Sequence, residues 1–281
     1  MRVRVSTIKI LFLFVILLSS SVFAAYKPKD SASVLWQNGI IRAESHYSAK
    51  YDRSGVPLDF AREKRSLNGE RMSAGAAASE NAREKIAFLV NRIRLDSDRT
   101  IGEFVKSNSE AQEKLAEILD EKIKLREQPK DFFSAKTSAE LKISELIRAL
   151  PLDFPNEDFP VPNDKALPTY YSSLIIDARG IEVSPMILPS VYDEDGLEVY
   201  GRYFINPAYA VREGLVTYCF SEKEAERHKK AGDSPYIAPA VRGLKGNPVI
   251  LHRDIKRILS DPRSILNLKK CRVIFIIDGS R

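Results

Sequence analysis

The stretch SLIIDARG sets Asp177, Arg179 and Gly180 directly after an apolar run. An acid, a base and a glycine at the end of a strand are the ingredients of a catalytic or phosphate-binding corner. Such a corner needs a partner, whether a nucleophile, a second carboxylate or a metal cluster. None lies nearby in the sequence. Asp177 and Arg179 flank one residue, so on a strand they share a face and can pair with each other, and Gly180 permits the bend that follows. This predicts a structural turn at Asp177, Arg179 and Gly180. A hydrolase using Asp177 with Asp193 or Asp195 is the weaker alternative.

The other candidates for chemistry resolve in a similar way. Asp193-Glu194-Asp195-Gly196 lacks the leading acids of a calcium loop of the form D-x-[DN]-x-[DN]-G. An acidic hairpin turn centred on Asp195 and Gly196 accounts for it. His46, His228 and His252 are scattered, with no H-E-x-x-H spacing, and no G-x-S-x-G elbow occurs. The segment RGLKGNP fits neither a phosphate loop nor a dinucleotide fingerprint. The expectation is a protein without enzyme activity, catalytic residues, cofactor or metal.

Charge is less bland. Between Arg227 and Arg272 stand twelve Lys or Arg against only Asp233, Asp254 and Asp261. Converging on one face, Arg227, Lys229, Lys230, Arg242, Lys245, Arg253, Lys256 and Arg257 would attract an anionic partner. Scattered over the surface, they would be screened by salt. Cys219 and Cys271 lie in apolar, strand-like runs. They either form a disulfide, if their strands are neighbours in an oxidising compartment, or remain two buried thiols.

The compartment is read from the first residues. MRVRVSTIKI LFLFVILLSS SVFA has a basic start, an apolar run and small residues before Ala24, the layout of a secretory signal peptide over residues 1–24. The apolar run is short for a membrane span, and no lipid-attachment cysteine follows it. An uncleaved anchor is the alternative reading. Cleavage would remove Arg2, Arg4 and Lys9 and no acid, lowering the net charge from +6 to +3. The expected protein is periplasmic or secreted, with no transmembrane segment after cleavage. Nucleic acid is a poor partner there.

The elements that would position these residues fall into two groups. Val34 to Ile41 read as a hairpin about Asn38-Gly39, and Lys50 to Arg71 as a loop. From Ala74 a helical period sets Ala78, Ala82, Ile86, Leu89, Val90 and Ile93 on one face. Thr100–Glu103 and Ser109–Gln112 have capping-box spacing, and Phe133 to Ile143 alternate as a strand. Five of the fifteen prolines lie in residues 151–168, which predicts a stiff linker. Beyond it, strands at SLIID, LVTYCF, NPVILH and CRVIFIID alternate with a hairpin and with helices, one starting at Asn206-Pro207 and another running from Ser221 towards Gly232. The expected fold is α+β: a small strand-helix-strand module over residues 25–150, then a mixed α/β domain over 169–281.

Three stretches, LWQNGIIRA, GAAASENAREKIAFLVNRIRLDSDRTIGEFV and SSLIIDARGIEVSPMILPSVYDEDGLEVYG, carry a resemblance. The first two resemble the twenty-kilodalton bacterial outer-membrane lipoprotein family and the N-terminal part of the periplasmic T protein of the flagellar outer ring. The step Ile93, Asp96, Ser97 and Thr100 occupies that family's I-x-x-D-S-x-T-T pattern. The resemblance implies a non-catalytic envelope module, in some members linked to flagella or surface structures. The lipidated cysteine is missing here. The functional expectation is a structural or interaction protein of an envelope complex, or, alternatively, a module that binds an anionic cell-wall polymer or lipid through residues 227–272.

Overall fold

The computed structural model describes residues 31–50, 66–160 and 167–279, which belong to one compact unit. The expected signal peptide lies outside the described residues. The N-terminal part opens with β1 (Ser31–Leu35) and β2 (Ile40–Ser48), paired antiparallel about a turn at Gly39, whose φ of 63° favours a residue without a Cβ. α1 (Leu67–Arg92) follows, beginning within the stretch expected to be loop. Ser66 caps it by accepting the Gly69 N–H.

Two short helices come next. α2 (Ile101–Lys106) carries the full capping box between Thr100 and Glu103. α3 (Ser109–Glu121) is capped one residue earlier than its spacing suggested, because the Asn108 amide oxygen accepts the Ala111 N–H and leaves Ser109 as the first helical residue. β3 (Lys124–Pro129) and β4 (Ser134–Lys142) then complete an antiparallel sheet in the order β1-β2-β4-β3.

Alternation decides how this sheet is covered. Ala135, Thr137, Ala139 and Leu141 of β4 point inward with Ile41 and Ala43, and all are buried. Ala74, Ala78, Ala82, Ile86 and Val90 form the facing stripe of α1. The alanines let the helix approach closely, while Ile86 and Val90 each contribute about 1.5–3 kcal/mol by burial. The opposite face is polar and carries the ion pairs Arg42–Glu140 and Lys136–Glu44.

α4 (Ile143–Ala149) leads into the proline-rich segment, which is coil as far as it is described. It does more than connect. Phe159 is buried and stacks on Phe204 and Tyr200, and one core cluster runs from Ile41 to Ile277 through both parts of the chain.

The C-terminal part is built on a parallel sheet. β5 (Ser173–Asp177), β8 (Thr217–Cys219), β9 (Pro235–Pro239) and β12 (Val273–Ile276) lie in the order β8-β12-β5-β9. Both faces are covered, as parallel sheets require. Leu174, Ile176, Val273 and Phe275 enter the main core, while Ile175, Ile274 and Ile276 meet Ala225 on the other side. That alanine belongs to α6 (Glu222–Arg227), which ends well before Gly232. A second sheet, ordered β10-β11-β6-β7, holds β6 (Val191–Tyr192), β7 (Glu198–Tyr200), β10 (Arg242–Leu244) and β11 (Asn247–Val249). α5 (Pro207–Glu213), α7 (His252–Ile258) and α8 (Pro262–Lys269) complete the fold. Among the described residues, no helix is long and apolar enough to cross a membrane.

The two parts are joined by backbone. Ile187 and Leu188 donate N–H bonds to the carbonyls of Arg94 and Leu95 at 3.1 and 2.7 Å. The Arg94 guanidinium donates to the carbonyls of Ser97 and Lys245, and Asn247 donates to Ser97 Oγ. Gly246 lies against this guanidinium at φ 81°, where an added Cβ would stand 2.6 Å from Arg94 Nη1. Gly39 has a comparable φ with nothing near it. Gly39→Ala should therefore cost only the left-handed strain, about 1–2 kcal/mol. Gly246→Ala should cost that strain and, in addition, roughly 0.5–1.5 kcal/mol for each Arg94 bond it displaces. Chemical denaturation of the two variants measures the difference, and equal losses would refute this account of the joint.

Candidate functional site

A cleft of about 310 Å³ opens beside β8, the edge strand of the parallel sheet. Its walls come from distant parts of the chain. The β1–β2 turn supplies Trp36 to Gly39, and the start of α4 supplies Lys142 to Ser144. The end of α5 and the entry to β8 supply Arg212 to Thr217, and the segment after α6 supplies His228 to Lys230.

Each wall is held in place by a specific contact. Gly39 O accepts the Ile143 N–H at 2.9 Å, fixing the hairpin turn to α4. Gln37 donates to Glu224 of α6 at 2.7 Å. The floor is Tyr218, whose ring meets Trp36 edge-on at 5.5 Å. Its hydroxyl donates to Met186 O and accepts from Met186 N. Burial of this phenol raises its pKa far above the ordinary value, so it stays protonated.

The electrostatics are one-sided. Among the described residues, Lys142, Arg212, Lys229 and Lys230 border the cleft, against the single carboxylate of Glu213. Glu213 accepts from Lys229 at 2.7 Å and Arg212 at 3.1 Å, and the Lys229 bond leads in holding its carboxyl below the usual range. Lys229 and Arg212 nevertheless keep much of their side chains in solvent, 71% and 65%. Lys230 is different. It is buried, it donates to Gly214 O at 3.1 Å, and burial pushes its pKa down to about 8. His228 beside it is also shifted down, chiefly by burial. The arrangement offers cationic donors and one aromatic wall to an anion.

Of the eight basic residues singled out in the sequence, only Lys229 and Lys230 reach this cleft. Arg227 is exposed at the end of α6. Arg242 donates to Glu194 O, and Lys245 pairs with Asp98 across the joint. Arg253, Lys256 and Arg257 lie on α7, where Arg253 approaches Asp254 at 3.7 Å. The basic stretch is therefore dispersed and does not form one face. Trp36, Lys142 and Arg212 complete the cleft and carry no local signal, because no motif links elements so far apart in the chain.

The corner at the end of β5 is a turn. Arg179 Nε donates to Asp177 Oδ1 at 2.8 Å in a two-pronged pair, and Gly180, at φ 72°, donates its N–H to Asp278 at 2.9 Å. The bond from Arg179 holds the Asp177 carboxyl below its usual range. In the β6–β7 turn, Gly196 has φ 85°, and the acids before it surround His252, which lies 58 positions from Glu194. A hydrogen bond to Glu194 leads in raising the His252 pKa.

The two cysteines are free and buried, the second of the two alternatives. Parallel register sets Cys219 beside Ile276, not beside Cys271. The side chains also enter different core clusters, one on each face of the sheet. Burial pushes both thiols up to about 11.

Residues 173–279 match the model of a family described as the second domain of Tp0624 from Treponema pallidum. The match runs from the first residue of β5 to just beyond β12, so it contains the parallel sheet, the β10-β11-β6-β7 sheet and one side of the cleft. Trp36 and Lys142 lie outside it. No curated protein matches the chain.

Two measurements check this description. Alkylation in denaturant without reductant should label both cysteines, whereas the native protein should resist the reagent; an unlabelled pair would mean a disulfide. Lys230 titrates lower in the folded protein than its ordinary 10.5, so between about pH 8 and 10.5 the unfolded chain binds more protons and stability gains from rising pH. The thiols oppose this above about pH 9, where unfolded thiols ionise first. Wild type compared with Lys230→Met isolates the lysine: the wild type should gain on the variant across that window, and parallel curves would refute the burial.

Proposed function

We propose that this chain is a non-enzymatic binding module of the bacterial envelope whose ligand is an anionic cell-wall polymer. The observation that carries the reading is the convergence of Lys142, Arg212, Lys229 and Lys230 on one cleft with, among the described residues, a single carboxylate between them. Cations in a recess focus potential towards an incoming anion more strongly than the same charges on an open surface. Trp36 adds an apolar wall of the kind that suits the carbon face of a sugar. The signal-peptide layout of residues 1–24 supports an envelope location.

The non-catalytic half of the proposal is supported by the state of the acids. Asp177 is engaged by Arg179, and Asp193 and Asp195 lie against His252. A glycoside hydrolase of the two-carboxylate kind would need both acids free to face a substrate.

A second reading, the structural or interaction protein of an envelope assembly, is favoured by the N-terminal sheet. β1 and β3 form its two edges, and β3 is largely exposed. An open edge can accept a strand from a partner. The resemblance of the N-terminal stretches to the twenty-kilodalton lipoprotein group and the flagellar T protein would fit this reading.

The test is co-sedimentation of the purified protein with cell-wall sacculi that retain or have lost their anionic polymer, at low and high salt. Binding should need the polymer and weaken steeply with salt. Arg212→Glu and Lys229→Glu, both exposed, should each weaken it about tenfold, equivalent to about 1.4 kcal/mol, while Arg257→Glu on α7 should leave it unchanged. Equal loss in all three variants would refute the cleft. Binding to stripped sacculi, or none at all, would move the weight to the assembly reading.

A further inference from the structure

The hairpin turn between β6 and β7 faces the first residue of α7, and the contact brings together groups that the sequence keeps far apart. His252 Nδ1 lies 2.9 Å from Glu194 Oε2, and the same oxygen accepts the backbone N–H of His252 at 3.0 Å. His252 Nε2 lies 3.2 Å from Asp195 Oδ2 and 3.4 Å from Asp193 Oδ2. Asp193 is more than nine-tenths buried. Its Oδ1 accepts the Leu197 N–H at 2.7 Å, while Oδ2 is aimed at the imidazole from beyond ordinary hydrogen-bond length. Of the neighbouring cations, Arg242 donates to the Glu194 carbonyl and Arg253 approaches Asp254.

The tautomer makes this arrangement informative. Glu194 accepts from Nδ1–H, so a neutral imidazole presents the bare lone pair of Nε2 to two carboxylate oxygens. Three lone-pair donors pointing at one another repel, and Asp193 is held in place by the bond that its Oδ1 accepts from Leu197. A positive charge between them is required. The spacing indicates which kind. Bonds of about 2.0–2.1 Å to a tetrahedral ion set its ligand atoms roughly 3.3–3.4 Å apart, close to the two separations seen here. Calcium takes six to eight oxygens at about 2.3–2.6 Å and does not suit a nitrogen-bearing set of three. A carboxylate on the far ring nitrogen is the usual outer-shell partner of a metal-bound histidine.

We propose that Asp193, Asp195 and His252 bind a divalent transition-metal ion of the zinc class, with Glu194 orienting the imidazole. The fourth position of a tetrahedral ion is open to water or to an anionic group. Bound metal ties the β6–β7 turn to the start of α7, so metal affinity becomes fold stability. The site is separate from the cationic cleft and does not depend on what the cleft binds.

The experiment is isothermal titration of the chelator-treated protein with Zn²⁺ at pH 8, paired with thermal unfolding in Zn²⁺ and in Ca²⁺. The expected result is one Zn²⁺ per chain and a rise in Tm that Ca²⁺ does not reproduce. Asp195→Asn alters a side chain that is 83% exposed and should fold normally; it should weaken Zn²⁺ binding at least tenfold. His252→Gln should abolish binding, and Glu194→Gln should reduce it by about 10–100-fold through the ring orientation. Absence of Zn²⁺ binding by the wild type, or binding unaltered in Asp195→Asn and His252→Gln, overturns the proposal and leaves a proton on the imidazole as the charge between the carboxylates. Preference for Ca²⁺ overturns the assignment of the ion.

Discussion

The backbone bonds from Ile187 and Leu188 to Arg94 and Leu95 are the constraint on which the rest of the molecule depends. They tie the tail of the long N-terminal helix to the strand-rich C-terminal part. Arg94 reinforces the joint by spanning Ser97 and Lys245, and Lys245 pairs with Asp98. Asp96 stiffens the bend from within by accepting the N–H groups of Asp98 and Arg99. A compact turn with its polar groups satisfied can pack against a second layer at little cost. A looser one would leave donors without partners.

The cleft is a consequence of that joint. Its two sides belong to the antiparallel sheet with its helices and to the parallel sheet, and neither side is a recess alone. Tyr218 shows how directly fold and site are coupled. Its hydroxyl satisfies both polar groups of Met186, immediately before the joint, while its ring forms the cleft floor against Trp36. Lys230 marks the other limit of the design. A buried ammonium with a carbonyl partner gives up solvation that a surface lysine keeps, and the molecule retains it at the rim of a recess already rich in cations.

How much of this was legible depends on whether a signal was local. The Asn38-Gly39 hairpin, the alanine stripe of α1, the Thr100–Glu103 box and the Asn206-Pro207 helix start are set by contacts within a few residues, and each was readable. β3, β9, α4 and α8 were not, because their identity comes from neighbours: β3 is a mostly polar strand held by β4, and Pro235 and Pro239 are tolerated in β9 because it lies at a sheet edge. The proline-rich segment reads as a spacer by composition, yet Phe159 draws it into the common core.

By itself the sequence determined the mixed α+β class, the periodic faces of α1 and β4, the turn at Asp177 to Gly180 and the cationic excess after Arg227. These follow from side-chain period, backbone freedom and charge, which are properties of short stretches. Only the tertiary structure decided which cations meet, that Cys219 and Cys271 enter opposite faces of one sheet, and that His252 closes on the acidic turn of Glu194, 58 positions earlier in the chain. The reason is strand order. With β12 between β5 and β8, the last strand of the chain lies in the middle of the sheet. Proximity is then fixed by hydrogen-bond register between strands, which no local pattern in the sequence records.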